Sequence, residues 1–130
     1  MGEFEVGVRA VILYDRKILL LQRPDFAWES PGGTVEFGED LHTALQREIK
    51  EETNLDNICI DKLLYAVTIK LSPERQAVGL MYLTRALDDK VKISDEHIDF
   101  MWADKSQLIN LSCMTEELKE NSVLDILEID

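Results

Sequence analysis

A mixed β-sheet covered by helices on both faces, an α/β fold, is the architecture this sequence predicts, and three observations lead there. Runs of alternating or β-branched apolar residues recur in both halves of the chain. One helical pattern lies in the middle and another closes the chain. The 130 residues suffice for a single domain, 1–130, that buries a core without disulfides or a structural metal.

The elements follow in order. Phe4, Val6, Val8, Ala10 and Ile12 alternate as in a strand, and Ile18 to Leu21 form a second strand after the polar turn Asp15-Arg16-Lys17, which predicts a hairpin. From Gln22 to Pro31 there is no periodicity and there are two prolines, so a loop is expected, leading through Gly32-Gly33 into a short extended stretch that ends at Val35. A helix is predicted from about Asp40 to Thr53. Ile58 to Leu71 and Gln76 to Ala86 are β-rich and flank the turn composition Ser72-Pro73-Glu74-Arg75, so they should pair as neighbours. Phe100 to Ala103 is a short strand. Thr115 to Leu127 reads as a closing helix, with Glu116 and Glu117 well placed against the dipole of its first turn.

Composition narrows the function. Hydrophobic residues at 45% and charged ones at 31% describe a soluble globular chain, and no apolar run approaches the roughly 18 residues of a membrane span. Acidic residues outnumber basic ones 26 to 14, a net charge of −12, which repels a nucleic-acid polymer in the absence of a basic stripe. Cys59 and Cys113 stand in no metal-type spacing and read as small buried hydrophobes. With no export signal at the N-terminus, they point to a reducing cytoplasm. An anionic polyphosphate could approach such a chain only with metal cations between them.

The central helix does not read as mere structure. Leu41, Ala44, Leu45 and Ile49 form its apolar stripe, yet Glu48 and Glu52 fall about 20° to either side of Leu41 on the same stripe, with Glu51 on the flank. Three carboxylates at i, i+3 and i+4 repel one another by about 0.2–0.5 kcal/mol per exposed pair. A hard divalent cation such as Mg²⁺, or Mn²⁺ in its place, would relieve that repulsion. The plainer alternative is that all three face solvent and Arg47 pairs with Glu51. Just upstream, Ser30-Pro31-Gly32-Gly33-Thr34 is a tight glycine turn able to bring backbone groups close to a ligand.

Turn and helix together resemble the Nudix box, a signature of Gly, five residues, Glu, seven residues, then Arg-Glu-apolar-any-Glu-Glu-any-Gly-apolar. Gly33, Glu39, Arg47, Glu48, Ile49, Glu51, Glu52 and Leu55 occupy those positions. Asn54 replaces the last glycine, at a helix end where a left-handed residue is wanted and Asn tolerates it best after Gly. Leu19 to Pro24 and Trp28 to Pro31 resemble the strand and loop that precede the box in that family, so the likeness covers nearly the whole chain.

The resemblance implies an α/β/α sandwich and a Mg²⁺-dependent hydrolase that cuts a nucleoside-diphosphate-linked substrate. Its default substrate is a nucleoside triphosphate, modified or not, giving the monophosphate and pyrophosphate. It also implies metal ligation by Glu48, Glu51, Glu52 and the Gly32 carbonyl, with Arg47 and Glu39 holding them in place. Glu96, in Asp95-Glu96-His97 ahead of Trp102, resembles the further acid that many members add from a loop; it or Glu48 would serve as base, and His97 reads as an ordinary loop residue. Arg23 is a candidate for a substrate phosphate, Trp28 for a base and Gly33 for close approach of the substrate, with surface and core roles as the alternatives for the first two. A homodimer is common in the family. The proline that marks ADP-ribose hydrolases and the tyrosine that marks dinucleoside polyphosphate hydrolases do not appear at their distances after Leu55. Two rivals remain: a Nudix-fold module that senses a nucleotide without cutting it, and a calcium buffer, which would need an Asp-rich loop this chain lacks.

Overall fold

The computed structural model describes residues 2–111. Strands β1 (Glu3–Tyr14), β2 (Lys17–Gln22), β3 (Trp28–Glu29) and β4 (Gly32–Thr34) precede helix α1 (Leu41–Thr53). Strands β5 (Ile58–Ser72), β6 (Arg75–Ala86) and β7 (Asp99–Ala103) and the short helix α2 (Lys105–Ile109) follow it. The strands form one mixed seven-stranded sheet in the order β3-β2-β1-β6-β5, with β4 added to β1 and β7 to β2. None of the described helices is long and apolar enough to cross a membrane.

Strand β1 is the spine. Along one edge it runs parallel to β6, with Gly7 opposite Gly79 and Arg9 opposite Met81. Its other edge is shared: Gly7, Val8 and Arg9 meet β4, and Leu13 and Tyr14 meet β2. The expected hairpin turn is made by Asp15 and Arg16, both at positive φ, the geometry that suits the twist of a two-residue connection. Strands β5 and β6 pair as expected, and β5 lies at the sheet edge.

Alternation along β1 sends Val8, Ala10 and Ile12 to one face and Val11 and Leu13 to the other, each with a buried core. On the first face Ala44, Leu45 and Ile49 of α1 are fully buried, each large side chain being worth about 1.5–3 kcal/mol of burial. On the second, Leu108 of α2 closes one end of the cluster. Asp40 caps α1 by accepting from the Thr43 amide at 2.7 Å, a bond worth about 1 kcal/mol. Asn54 ends it in the left-handed conformation, φ 64°, as expected at that departure from the box.

Four expectations need correction. The Gln22 to Pro31 loop contains β3, whose two residues pair with β2 through Leu21 and Gln22. Leu41 is 36% exposed, because it sits in the first turn of α1, beyond the edge of the core. Cys59 is free and exposed; it faces outward on the edge strand while Ile58 and Ile60 turn toward the core. Helix α2 was not foreseen, although Asp104 and Gln107 form a capping box around its start. The predicted Thr115 to Leu127 helix and Cys113 lie outside the described residues.

Candidate active site

The buried edge of α1 carries carboxylates into the sheet. Glu52 is only 5% exposed and accepts a hydrogen bond from the Gly32 amide at 2.8 Å. The Glu48 side chain is 15% exposed, whereas Glu51 on the flank is 57% exposed. The helical wheel therefore anticipated burial correctly, and the solvent-facing alternative fails for Glu48 and Glu52. Backbone contact requires a glycine at 32, and the missing side chain at Gly33 leaves the Glu48 carboxylate its space. A Cβ on Gly32 would lie 2.1 Å from the Val8 carbonyl oxygen, and one on Gly33 would lie 2.3–2.6 Å from the carboxylate atoms of Glu48. Gly32 also adopts φ 156°, which L side chains rarely do.

Arg47 organises this edge. Its Nε and Nη2 grip both oxygens of Glu39, at 2.7 and 3.0 Å, while Nη1 donates to Glu48 at 2.8 Å and Nη2 to the Thr34 carbonyl at 3.1 Å. A weaker contact from Nη1 reaches Glu51 at 3.4 Å. The planar fork can hold one carboxylate in two bonds and still meet a second, which a Lys ammonium cannot do. The Arg47 hydrogen bonds and the Glu36 amide hold the Glu39 carboxyl down at about 2.

The segment between β6 and β7 folds back over the end of α1. The Lys92 amide donates to the Thr53 carbonyl and the Ser94 amide to that of Glu52, at 3.0 and 3.3 Å. This docking places Glu96 beside Glu52: one carboxylate oxygen from each and a ring nitrogen of His97 all lie within 4.8 Å of one another. The sequence-based candidate Glu96 is thus brought to the helix carboxylates. His97 lies in a loop, as expected, but it is buried, and its Nε2 lies 2.8 Å from Glu29 Oε2. Glu29 and Arg9 were missed altogether. Arg9 Nη1 donates to the Ser30 carbonyl, and Arg9 Nη2 lies 3.8 Å from Glu29. An Arg inside a strand and a Glu inside a proline-flanked loop carry no local signal of such a role.

Desolvation dominates the titration of the two inner carboxyls. Burial pushes Glu52 up to about 8 despite the Gly32 amide and the charge of Arg9, and the negative charges of Glu48 and Glu96 push the same way. Burial also raises Glu48, against the opposing hydrogen bond from Arg47. Such crowding of hard oxygen donors, with a ring nitrogen of the buried His97 within 4.8 Å of them, fits a divalent cation.

Beyond Arg9 and Gly33 a cleft of about 240 Å³ opens on the opposite face of the sheet. Gly7, Gly79 and Met81 form part of its floor, and Tyr65, Val67 and Ile69 of β5 wall it. Arg23, half-exposed, pairs with Asp25 and lies 3.8 Å from Glu29. Trp28 is half-buried and packs against the core cluster of Val11 and Leu20, the packing role weighed for it from sequence.

Comparison with known proteins agrees with this geometry. A family model described as NUDIX domain matches residues 3–123. An ADP-ribose pyrophosphatase of Methanocaldococcus jannaschii is 30% identical over 87% of this chain and 69% of its own length. A dihydroneopterin triphosphate diphosphatase of Escherichia coli is 44% identical over 35% of the chain and 34% of its own length. Among solved structures, a MutT protein from Methanosarcina mazei superposes with a TM-score of 0.80 at 22% identity, covering 99% of this chain and 98% of that one. A MutT Nudix hydrolase from Burkholderia pseudomallei gives 0.74 at 29% identity, covering 92% and 98%. With the box in register, its carboxylates gathered on one helix and the family model matching nearly the whole chain, this protein belongs to the Nudix family, enzymes that act on pyrophosphate bonds.

Proposed function

We propose that the chain is a Mg²⁺-dependent hydrolase of a nucleoside-diphosphate-linked substrate, by preference a nucleoside triphosphate cut to the monophosphate and pyrophosphate. The observation behind it is that Gly33 lines the cleft and also lies against the Glu48 carboxylate, so a substrate held in the cleft would sit next to the carboxylates at that residue. The cleft is smaller than the roughly 300–1,000 Å³ of sites that enclose a whole drug-sized ligand, so it suits one end of a substrate, the base. Apolar walls suit a flat aromatic group, and Arg9 at the cleft's inner end supplies a fixed cation for a phosphate.

Glu48, Glu51, Glu52, Glu96 and the Gly32 carbonyl would hold the metal, which when bound neutralises phosphate oxygens and lowers the pKa of water. The protein's own part is positioning. Arg47 and Glu39 fix Glu48, the Gly32 amide fixes Glu52, and Glu48 or Glu96 accepts the proton of the attacking water. Arg23, 3.8 Å from Glu29, and Trp28 are further candidates for substrate contact, although neither lines the cleft.

A second reading, that the substrate is ADP-ribose, is favoured by the name of the Methanocaldococcus relative and weakened by the missing proline marker. A homodimer through the β5 edge is proposed as well, since β5 ends the strand order among the described residues and Leu63 is exposed there. Phosphorus NMR of a panel of nucleoside triphosphates and ADP-ribose, incubated with Mg²⁺ and the native chain or Glu51→Gln, tests the reading. Pyrophosphate from a triphosphate supports the first substrate, and AMP with ribose phosphate supports the second. Nucleotide binding without any turnover would instead identify a sensing module.

A further inference from the structure

We propose that His97 is a nitrogen ligand of the metal, completing with Glu52 and Glu96 a mixed oxygen and nitrogen site. The inference rests on the reading above that these carboxylates hold a divalent cation. Beside the glutamates lies a buried imidazole, His97. Its side chain is 2% exposed, its Nε2 is engaged by Glu29 at 2.8 Å, and its Nδ1 is buried with no hydrogen-bond partner.

With the proton on Nε2, donated to Glu29, the imidazole presents a bare lone pair at Nδ1. Such a lone pair has lost its water, and a ring nitrogen of the same imidazole lies within 4.8 Å of a carboxylate oxygen of both Glu52 and Glu96. A cation among the three groups would take up a nitrogen lone pair and offset the crowded carboxylate charge. Glu29 then has the part of the carboxylate that takes the second N–H of a ligating imidazole, fixing its tautomer and ring orientation. The segment that carries His97 is held in place by backbone bonds from Lys92 and Ser94 to the end of α1 and from Ile98 to Gln22 on β2. The donor therefore sits on anchored backbone.

The chemical consequence concerns which metal is preferred. Imidazole binds Mn²⁺, Fe²⁺ or Co²⁺ far better than Mg²⁺, which wants oxygen ligands and water. A site with one nitrogen donor should hold Mn²⁺ more tightly than Mg²⁺, and the difference should depend on His97.

The test is pulsed electron paramagnetic resonance of Mn²⁺ added to the full chain, read for nitrogen hyperfine modulation, with Mn²⁺ and Mg²⁺ affinities from calorimetry. The expected result is nitrogen coupling in the native protein that His97→Gln abolishes and His42→Asn retains. His42 is the chain's other histidine and sits edge-on to Tyr82. Mn²⁺ affinity should fall on the order of tenfold in His97→Gln while Mg²⁺ affinity changes much less. Bound Mn²⁺ without nitrogen coupling in the native protein overturns the inference and leaves the carboxylate site standing. No Mn²⁺ binding at all overturns both. Because the native spectrum decides alone, a poorly folded variant does not blunt the test.

Discussion

The Glu48 carboxylate occupies the space where a side chain on Gly33 would begin, with its nearest atom 2.3 Å from that absent Cβ. Backbone and carboxylate thus touch at the one residue that also borders the cleft. Gly33→Ala should displace Glu48 and, with it, the geometry of any bound phosphate. We predict a loss in kcat on the order of 100-fold, with the core of β1 and α1 intact by circular dichroism.

Arg47→Lys should be nearly as damaging as a larger change, because the ammonium cannot hold Glu39 in two bonds while meeting Glu48. The expected loss is about 10–100-fold in metal affinity or kcat, measured by calorimetry and steady-state kinetics.

Without metal, stability should depend on pH in an unusual direction. Glu52 titrates at about 8 in the folded chain against an ordinary 4.5, so between those values the folded state binds more protons than the unfolded one. The contribution is fully present below 4.5 and is lost as pH rises through about 8; Glu48 acts in the same direction. The Glu39 carboxyl, held at about 2, affects stability only on the acid side of this window. Calorimetry in a chelator should show Tm falling from about pH 5 to about pH 8, and Glu52→Gln should flatten that slope. Mg²⁺ should restore more stability at the upper end, where the carboxylates are charged and available to it.

The cleft can be narrowed without strain. A Cβ on Gly7 meets only the Gly33 carbonyl oxygen, at 3.8 Å, so Gly7→Ala should fold and narrow the floor. KM should rise roughly tenfold or more while metal affinity is unchanged. An unchanged KM would place the substrate elsewhere.

Much of this site was legible because it is local. Glu48 and Glu52 betrayed themselves by occupying an apolar stripe, and Asn54 by standing where a helix needs a left-handed residue. Strand β3 was hidden because two residues between prolines have no period; only pairing with Leu21 and Gln22 makes them a strand. Arg9, Glu29 and His97 were hidden for the same reason at longer range: 20 residues of chain separate Arg9 from Glu29, and 68 separate Glu29 from His97. Their meeting depends on β1, β3 and the segment before β7 converging, which no spacing along the chain encodes.

Most direct for the central claim is a comparison of Mg²⁺-dependent diphosphate cleavage by the native chain and by Glu52→Gln, with folding checked on both samples. Glu52 is the innermost carboxylate, bonded to Gly32 and beside Glu96. Turnover should require the metal and fall by orders of magnitude in Glu52→Gln, while that variant still folds and still binds nucleotide. Equal turnover by both proteins, or cleavage undiminished by a chelator, would contradict that claim.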